Sequence, residues 1–374
     1  MPKRQSSARG PTVVALSFVV LACNESSVDP APDAEDHLLF LSARAGAIDP
    51  LGRQLRDIYR TSTAGDPAVN LTREPARYFH VSVSADGRRV AFASDRDGCD
   101  IWTMESNGDD LRRLTGPGEG CNAWPRWSPS GTQLAFASNR DSRQIGQTGG
   151  LYDVYVADIG TNAVRNVTAA FSDELGYEVE VIGWSPAGEI VFETYGGEHE
   201  GRRTYLVSTD GARMERFLEP GDHSVSWSPD GARVAFIREH DGLRRIFVSS
   251  HDGTDLRPLF AMTVSDRLPN GCCGMSDVRF DIQPWSPDSR RIAFERMSGQ
   301  AVGTVHVINV DGTGLRQLTP FAASFNGWSR SGGRIAVTRR TPSGPAGVYV
   351  FVSNYSASSL LSAEAGDGDA IWVH

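Results

Sequence analysis

Three histidines stand in the middle of the chain, His199, His223 and His240, with Glu180 upstream of them. Imidazole nitrogens and a carboxylate are a donor set that suits a divalent cation. Their spacing follows no tight metal-binding motif. Exposed loop histidines are therefore the plainer reading, and no metal ligand is assigned. A second group, Arg126, Glu178, Glu180, Asp281 and Asp369, carries charge of both signs at or just before β-rich segments. Such a group could hold a cation or the charged end of a peptide, whereas solvation of a water-filled channel explains any single member. Ser185, Ser228 and Ser286 each follow a tryptophan and precede a proline. None lies in Gly-x-Ser-x-Gly, and no α/β segment follows to build a nucleophile elbow. No cofactor is expected, a divalent cation in a central channel being the one candidate.

These residues are positioned by a repeat. Ser224 to Leu259 reads as four short strands, with Asp230-Gly231, Asp241-Gly242 and Asp252-Gly253 as turns. Apolar and β-branched runs between Asp-Gly signals make antiparallel hairpins. The pattern recurs seven times. Trp127, Trp184, Trp227, Trp285, Trp328 and Trp372 mark the first strand, with Val83 in the same place. Four of the spacings are 43 or 44 residues, and two are longer by about 14, as loop insertions make them. The second strand repeats as VAFASDR (90–96), LAFASNR (134–140) or VAFIREH (234–240). The third carries a ring at one register: Tyr59, Trp102, Tyr155, Tyr205, Phe247, His306 and Tyr349. The fourth is short, as in NLT (70–72), RLT (113–115) and NVT (166–168). The Asn-x-Thr triplets belong to this strand and are not read as glycosylation sites.

The ordered repeat begins near His37 with a second strand and ends at Trp372 with a first strand. Joined, the two ends complete one sheet and leave no long edge exposed. The expected fold is all-β: a seven-bladed β-propeller of four-stranded antiparallel blades over 37–374, its first blade closed by the C-terminal strand.

In such a blade the Pro-Asp-Gly and third-to-fourth turns open on one face, which reads as scaffold. The opposite face collects the irregular segments 116–122, 141–150, 169–178, 196–202 and 261–277, where binding is expected. Cys99, in a second-to-third turn, and Cys121, in the following connection, are expected to form a disulfide that staples a loop there. Cys272 and Cys273 allow a vicinal disulfide or free thiols. The binding candidates on or near this face are Arg126, Glu178, Glu180, His199, His223, His240, Asp281 and Asp369.

Residues 1–22 read as a signal peptide, with Lys3, Arg4 and Arg9 before the apolar run Thr12 to Ala22. Val20-Leu21-Ala22-Cys23 resembles a bacterial lipobox, which implies lipidation of Cys23. Residues 23–36 are polar and acidic and read as a flexible tether. The 37 basic and 46 acidic residues leave a net charge of −9, with no basic excess for general nucleic-acid binding.

Trp-Ser-Pro-Asp-Gly, Ile-Ala-Phe-x-x-x-Arg, an aromatic third strand, Asp-Gly and Arg-x-Leu-Thr together resemble the TolB-type, WD-repeat-like propeller family. The resemblance covers 37–374. TolB proper is six-bladed with an extra N-terminal domain, so it is to the family and not to TolB itself. It implies a monomeric, non-enzymatic protein on the periplasmic face of a membrane, the outer one by the Asn24 that follows Cys23. There it would bind an envelope protein, peptide or glycan. Related propellers that precede a peptidase domain are set aside, because the repeat uses up the chain. The alternative is a metal-dependent polysaccharide lyase, in which His199, His223, His240 and Glu180 would converge.

Overall fold

The computed structural model describes residues 36–373, except 44–45, 51, 53, 75, 117, 119, 142–150, 172–174, 176–177, 196–201, 241–242, 261–265, 268–282, 299–300, 342–343, 353–357 and 363–366. Contacts divide the chain into Met1–Pro32, outside the described residues, and Asp33–His374. The second unit is a seven-bladed β-propeller of four-stranded antiparallel sheets.

The blades follow chain order except the first. There the C-terminal strand Gly368–Val373 lies innermost and pairs with His37–Ser42, which pairs with Asp57–Ser62 and then Val69–Asn70. Trp372 stands opposite Leu38. This is the shared closing blade that the truncated repeats at the two ends require.

The repeated residues have structural causes. The second strand is apolar at successive positions because each blade is packed on both sides. Ala91 and Ala93 of the second blade meet Trp127, Leu134 and Phe136 of the third. Ile182, Val191 and Leu206 of the fourth meet Val225, Val234 and Phe236 of the fifth. The second-strand phenylalanine stacks on the third-strand ring of its own blade, as in Phe136–Tyr155 at 5.8 Å, Phe192–Tyr205 at 5.5 Å and Phe294–His306 at 5.7 Å. Offset stacking of this kind adds to the area buried.

The tryptophans link blades. The indole N–H of Trp184 donates to the Arg126 carbonyl at 3.0 Å, and that of Trp285 to the Ser226 carbonyl at 3.2 Å. Trp328 donates to Pro284 at 3.1 Å, and Trp372 to Gly327 at 3.0 Å. Each acceptor is the residue before the equivalent tryptophan of the preceding blade. Gly327, at φ +115°, also lets the Trp372 ring approach: a Cβ there would lie 3.3 Å from Cδ1.

The serine after the tryptophan closes its own turn. Ser228 Oγ donates to Asp230 and accepts the Arg233 N–H at 2.9 Å. Gly231 holds φ +71° in that turn, where a Cβ would meet Pro186 at 3.1 Å. The fourth-strand threonine is a blade-internal cap. Thr72 donates to Asp57 at 2.6 Å and accepts the Ile58 N–H at 3.1 Å. Thr115 and Thr168 repeat the arrangement with Asp100 and Asp153. Asn70 and Asn166 donate to the same aspartates as Thr72 and Thr168, which explains the Asn-x-Thr triplets.

The sixth blade departs from the spacing expected. Asp266–Arg267 already pairs with Glu295 and Arg296, in the place that His223 takes opposite Ile237 in the fifth blade. Trp285 then bridges to Ile292. The inner-strand pairing of this blade is thus divided in the chain between Asp266–Arg267 and Trp285.

Candidate functional site

The inner strands are not regular. Their pairing slips between Phe79 and Ser82, Ala123 and Arg126, His223 and Ser226, and Phe325 and Gly327. His80, Trp124 and Ser224 at three of these slips, and Asp369 at the slip between Gly368 and Ala370 of the closing blade, take φ values of 53°, 52°, 59° and 48°. A bulge turns side chains out of the pleat. Left-handed backbone is costly for a residue as large as tryptophan, and such strain collects at functional positions.

At the irregular end of the channel the second and third blades bring four rings together. Phe79 meets His80 at 5.1 Å, His80 lies 4.8 Å from Trp124, and Trp124 meets Tyr152 edge-on at 5.7 Å. All four rings are half-buried, and Glu178 is exposed at the start of the next inner strand. Burial raises the Tyr152 phenol above its ordinary value, and the Glu178 carboxylate adds to the rise. The disulfide Cys99–Cys121 ties the second-to-third turn of one of these blades to the entry of the next. Asn122 strengthens the tie by donating its backbone N–H and side-chain amide to the Cys99 carbonyl.

The charged candidates are spread around the ring. Arg126 is buried, its guanidinium donating to the carbonyls of Ile182 at 3.0 Å and Pro125 at 3.1 Å. Glu180 is buried. Asp369 pairs with Arg340 and, at 3.5 Å, with Arg56, while its N–H donates to Thr338 at 2.9 Å. His223 is half-buried. Its Nδ1 lies 2.8 Å from Ser224 Oγ and 3.3 Å from the Arg202 guanidinium. His240 ends the strand Arg233–His240. His199 and Asp281 lie outside the described residues, as do Cys272 and Cys273. Among the described residues, no three His, Cys, Asp or Glu side chains are placed to share a metal ion.

Buried glutamates at this end escaped the sequence reading. Glu193 Oε1 accepts the Ser224 N–H at 2.6 Å, and Glu295 Oε1 accepts the Phe325 N–H at 3.0 Å. Thr338 does the same for Asp369. These three second strands thereby pin the bulge of the next blade. The signal was present in the sequence: VFET, AFER and AVTR replace AFAS at that one position.

The opposite end, with the Pro-Asp-Gly turns, holds a cavity of about 290 Å³. The indoles of Trp285, Trp328 and Trp372 line it, with Gln283, Asn326 and Arg330 as its main polar side chains. From the repeat alone this face reads as scaffold.

No family model matches the chain. A stretch covering 42% of it is 29% identical, over 163 residues, to a TolB homolog of Chlorobium luteolum and covers 33% of that protein. The crystal structure of TolB from Acinetobacter baumannii superposes with a TM-score of 0.53 at 14% identity, covering 91% of this chain and 67% of that one. The chain is similar to TolB over part of its length and shares its β-propeller fold. A further relative of this TolB-like propeller, an uncharacterized protein of Agrobacterium fabrum, is 30% identical over 190 residues, 47% of this chain and 59% of its own length. The TolB-like chain thus spans less than two thirds of either curated relative it matches. The oligogalacturonate lyase of Vibrio parahaemolyticus also shares the fold, with a TM-score of 0.58 at 15% identity over 79% of this chain and 82% of that one.

Proposed function

We propose that this protein is a non-enzymatic binding module of the bacterial envelope that engages a protein, peptide or glycan at the irregular end of its channel. The observation that carries the reading is the run of half-buried rings from Phe79 to Tyr152, held on strained backbone beside the exposed Glu178. Aromatic anchors beside a polar group are the commonest source of binding energy at interfaces. The disulfide pre-orders the two blades that supply the rings, which lowers the entropy lost on binding. A signal peptide, a lipid on Cys23 and the tether 23–36 would hold the propeller at the periplasmic face of the outer membrane. The buried engagement of Arg126 and Asp369 favours structural roles for both over a charged lining of the channel.

The test is photo-crosslinking in the native envelope with a probe at Tyr152 and, in a second strain, at Asp252 on the opposite face. A discrete adduct from Tyr152 alone, lost on Trp124→Ala, is the expected result. Adducts from Asp252 alone would overturn the face. Metabolic labelling with a radioactive fatty acid checks the anchor, and Cys23→Ser should abolish the label.

A further inference from the structure

The cavity at the Pro-Asp-Gly end is built from departures of the repeat. Two residues before the marker tryptophan, the other copies carry Val81, Pro125, Ile182, Val225 and Ala370, all without a polar side chain. The sixth and seventh blades carry Gln283 and Asn326 instead. Two residues after the tryptophan, four copies carry proline at 129, 186, 229 and 287, and the seventh carries Arg330. The next position is aspartate in three copies, and the seventh has Ser331. That turn therefore exchanges a carboxylate for a guanidinium. Gln283, Asn326 and Arg330 line the same cavity.

The exchange leaves donors without partners. Asn326 is 2% exposed, and its Oδ1 accepts the Thr338 hydroxyl at 2.6 Å. Its amide nitrogen has no hydrogen-bond partner among the described residues. Gln283 Oε1 accepts the Ser226 hydroxyl at 2.8 Å, which again leaves the amide nitrogen to the cavity. Arg330 makes no ion pair among the described residues. Both amide nitrogens are thus free to donate to an acceptor supplied from outside. The indole N–H groups of Trp285, Trp328 and Trp372 are already spent on carbonyls of neighbouring blades. Those rings therefore offer only their apolar surfaces. The neighbouring carboxylates Asp86, Asp230 and Asp288 are turned back onto the serines of their own turns.

We propose that this cavity is a second binding site, for a small apolar carboxylate. The hydrocarbon body lies against the three indoles, and the carboxylate accepts from the Asn326 and Gln283 amides and the Arg330 guanidinium. A volume of about 290 Å³ suits one ring with a short acid chain. The site stands at the other end of the channel from the rings of Phe79 to Tyr152, and does not depend on their role.

Isothermal titration of the purified full-length protein with 3-phenylpropionate, and with 3-phenylpropan-1-ol as the neutral control, tests the proposal. The acid should bind saturably with one site per chain and at least tenfold more tightly than the alcohol. Arg330→Ala, an exposed change at a turn, should weaken the acid about tenfold and the alcohol less than twofold. Asn326→Leu should weaken both, and quenching of tryptophan fluorescence by the acid should accompany binding. Absence of saturable binding at about 5 mM acid would overturn the site. So would an Arg330→Ala protein that is folded by circular dichroism and binds the acid as well as the wild type.

Discussion

The two ends of the channel are built from the same seven copies and differ in what holds them. At the Pro-Asp-Gly end each turn closes on itself: Ser228 with Asp230 and Arg233, and Ser286 with Asp288 and Arg291. The tryptophan ring then joins blade to blade through buried indole N–H bonds. At the irregular end, order comes from between the blades. Glu193 and Glu295 reach across to pin the next bulge, a disulfide joins two blades, and Arg340 pairs with Asp369 across the closing seam. Self-contained turns tolerate local change, so the repeat could shed Pro and Asp in the seventh blade and still close. Shared contacts do not, and the residues at the irregular end are accordingly individual to each blade.

The largest expected contrast is between two tryptophans. Trp285→Ala removes a 2%-exposed ring and its inter-blade bond. It should lower unfolding stability by about 3–5 kcal/mol in urea. Trp124→Ala, a half-buried ring at the other end, should cost less than about 2 kcal/mol while abolishing the crosslinked adduct. Equal losses would remove the distinction between rings that join the blades and rings that only line the irregular end. Next in size is Glu193→Ala, which leaves the Ser224 N–H without its acceptor inside the wall. A loss of about 2 kcal/mol by the same measurement is expected. Ser228→Ala, which deletes one self-contained turn, should cost only about 1 kcal/mol. A larger effect than that of Glu193→Ala would reverse the comparison.

The smallest effect is one of pH. The Ser228 hydroxyl bond, with the Ala232 N–H after it, holds the Asp230 carboxyl below its ordinary value of 3.8. A carboxyl whose folded value is depressed stabilises the fold above the unfolded value and loses that contribution as pH falls through the folded one. Asp230→Asn should therefore be less stable than the wild type at pH 7, and the two should converge as pH falls below the ordinary carboxylate value. A difference that stays constant down to acid would show that the carboxylate's charge has no part in the turn.

The fold was legible because its determinants are local and repeated. Trp-Ser-Pro-Asp-Gly encodes a turn through one serine hydroxyl and one positive φ, and Asn-Leu-Thr encodes a strand end through one aspartate. Trp372 and His37 announced the shared closing blade by being halves of one repeat. The site was legible in part. The sequence directed attention to the irregular end and offered Glu178, His223, Arg126 and Asp369 among the candidates on or near it; the side chains of Arg126 and Asp369 turn to partners in neighbouring blades. Both are engaged within the wall, because a bulge in their inner strands redirects side chains that alternation alone would place. Trp124 and His80 went unnoticed for the same reason: neither their φ nor their mutual distance is written in a spacing.

By itself the sequence determined the number of blades, their strand order and the place where the ring closes. The first two follow from hydrogen bonds between residues near one another in the chain, and the third from the two half repeats, at His37 and at Trp372, that pair with each other. Only the tertiary structure decided which departures from the repeat share a mouth of the channel. Ring closure brings Val83 and Ser84 to the same cavity as Asn326, Arg330 and Trp372. The inner strands converge on one axis, so residues far apart in the chain become neighbours there, and no periodicity records which of them face each other.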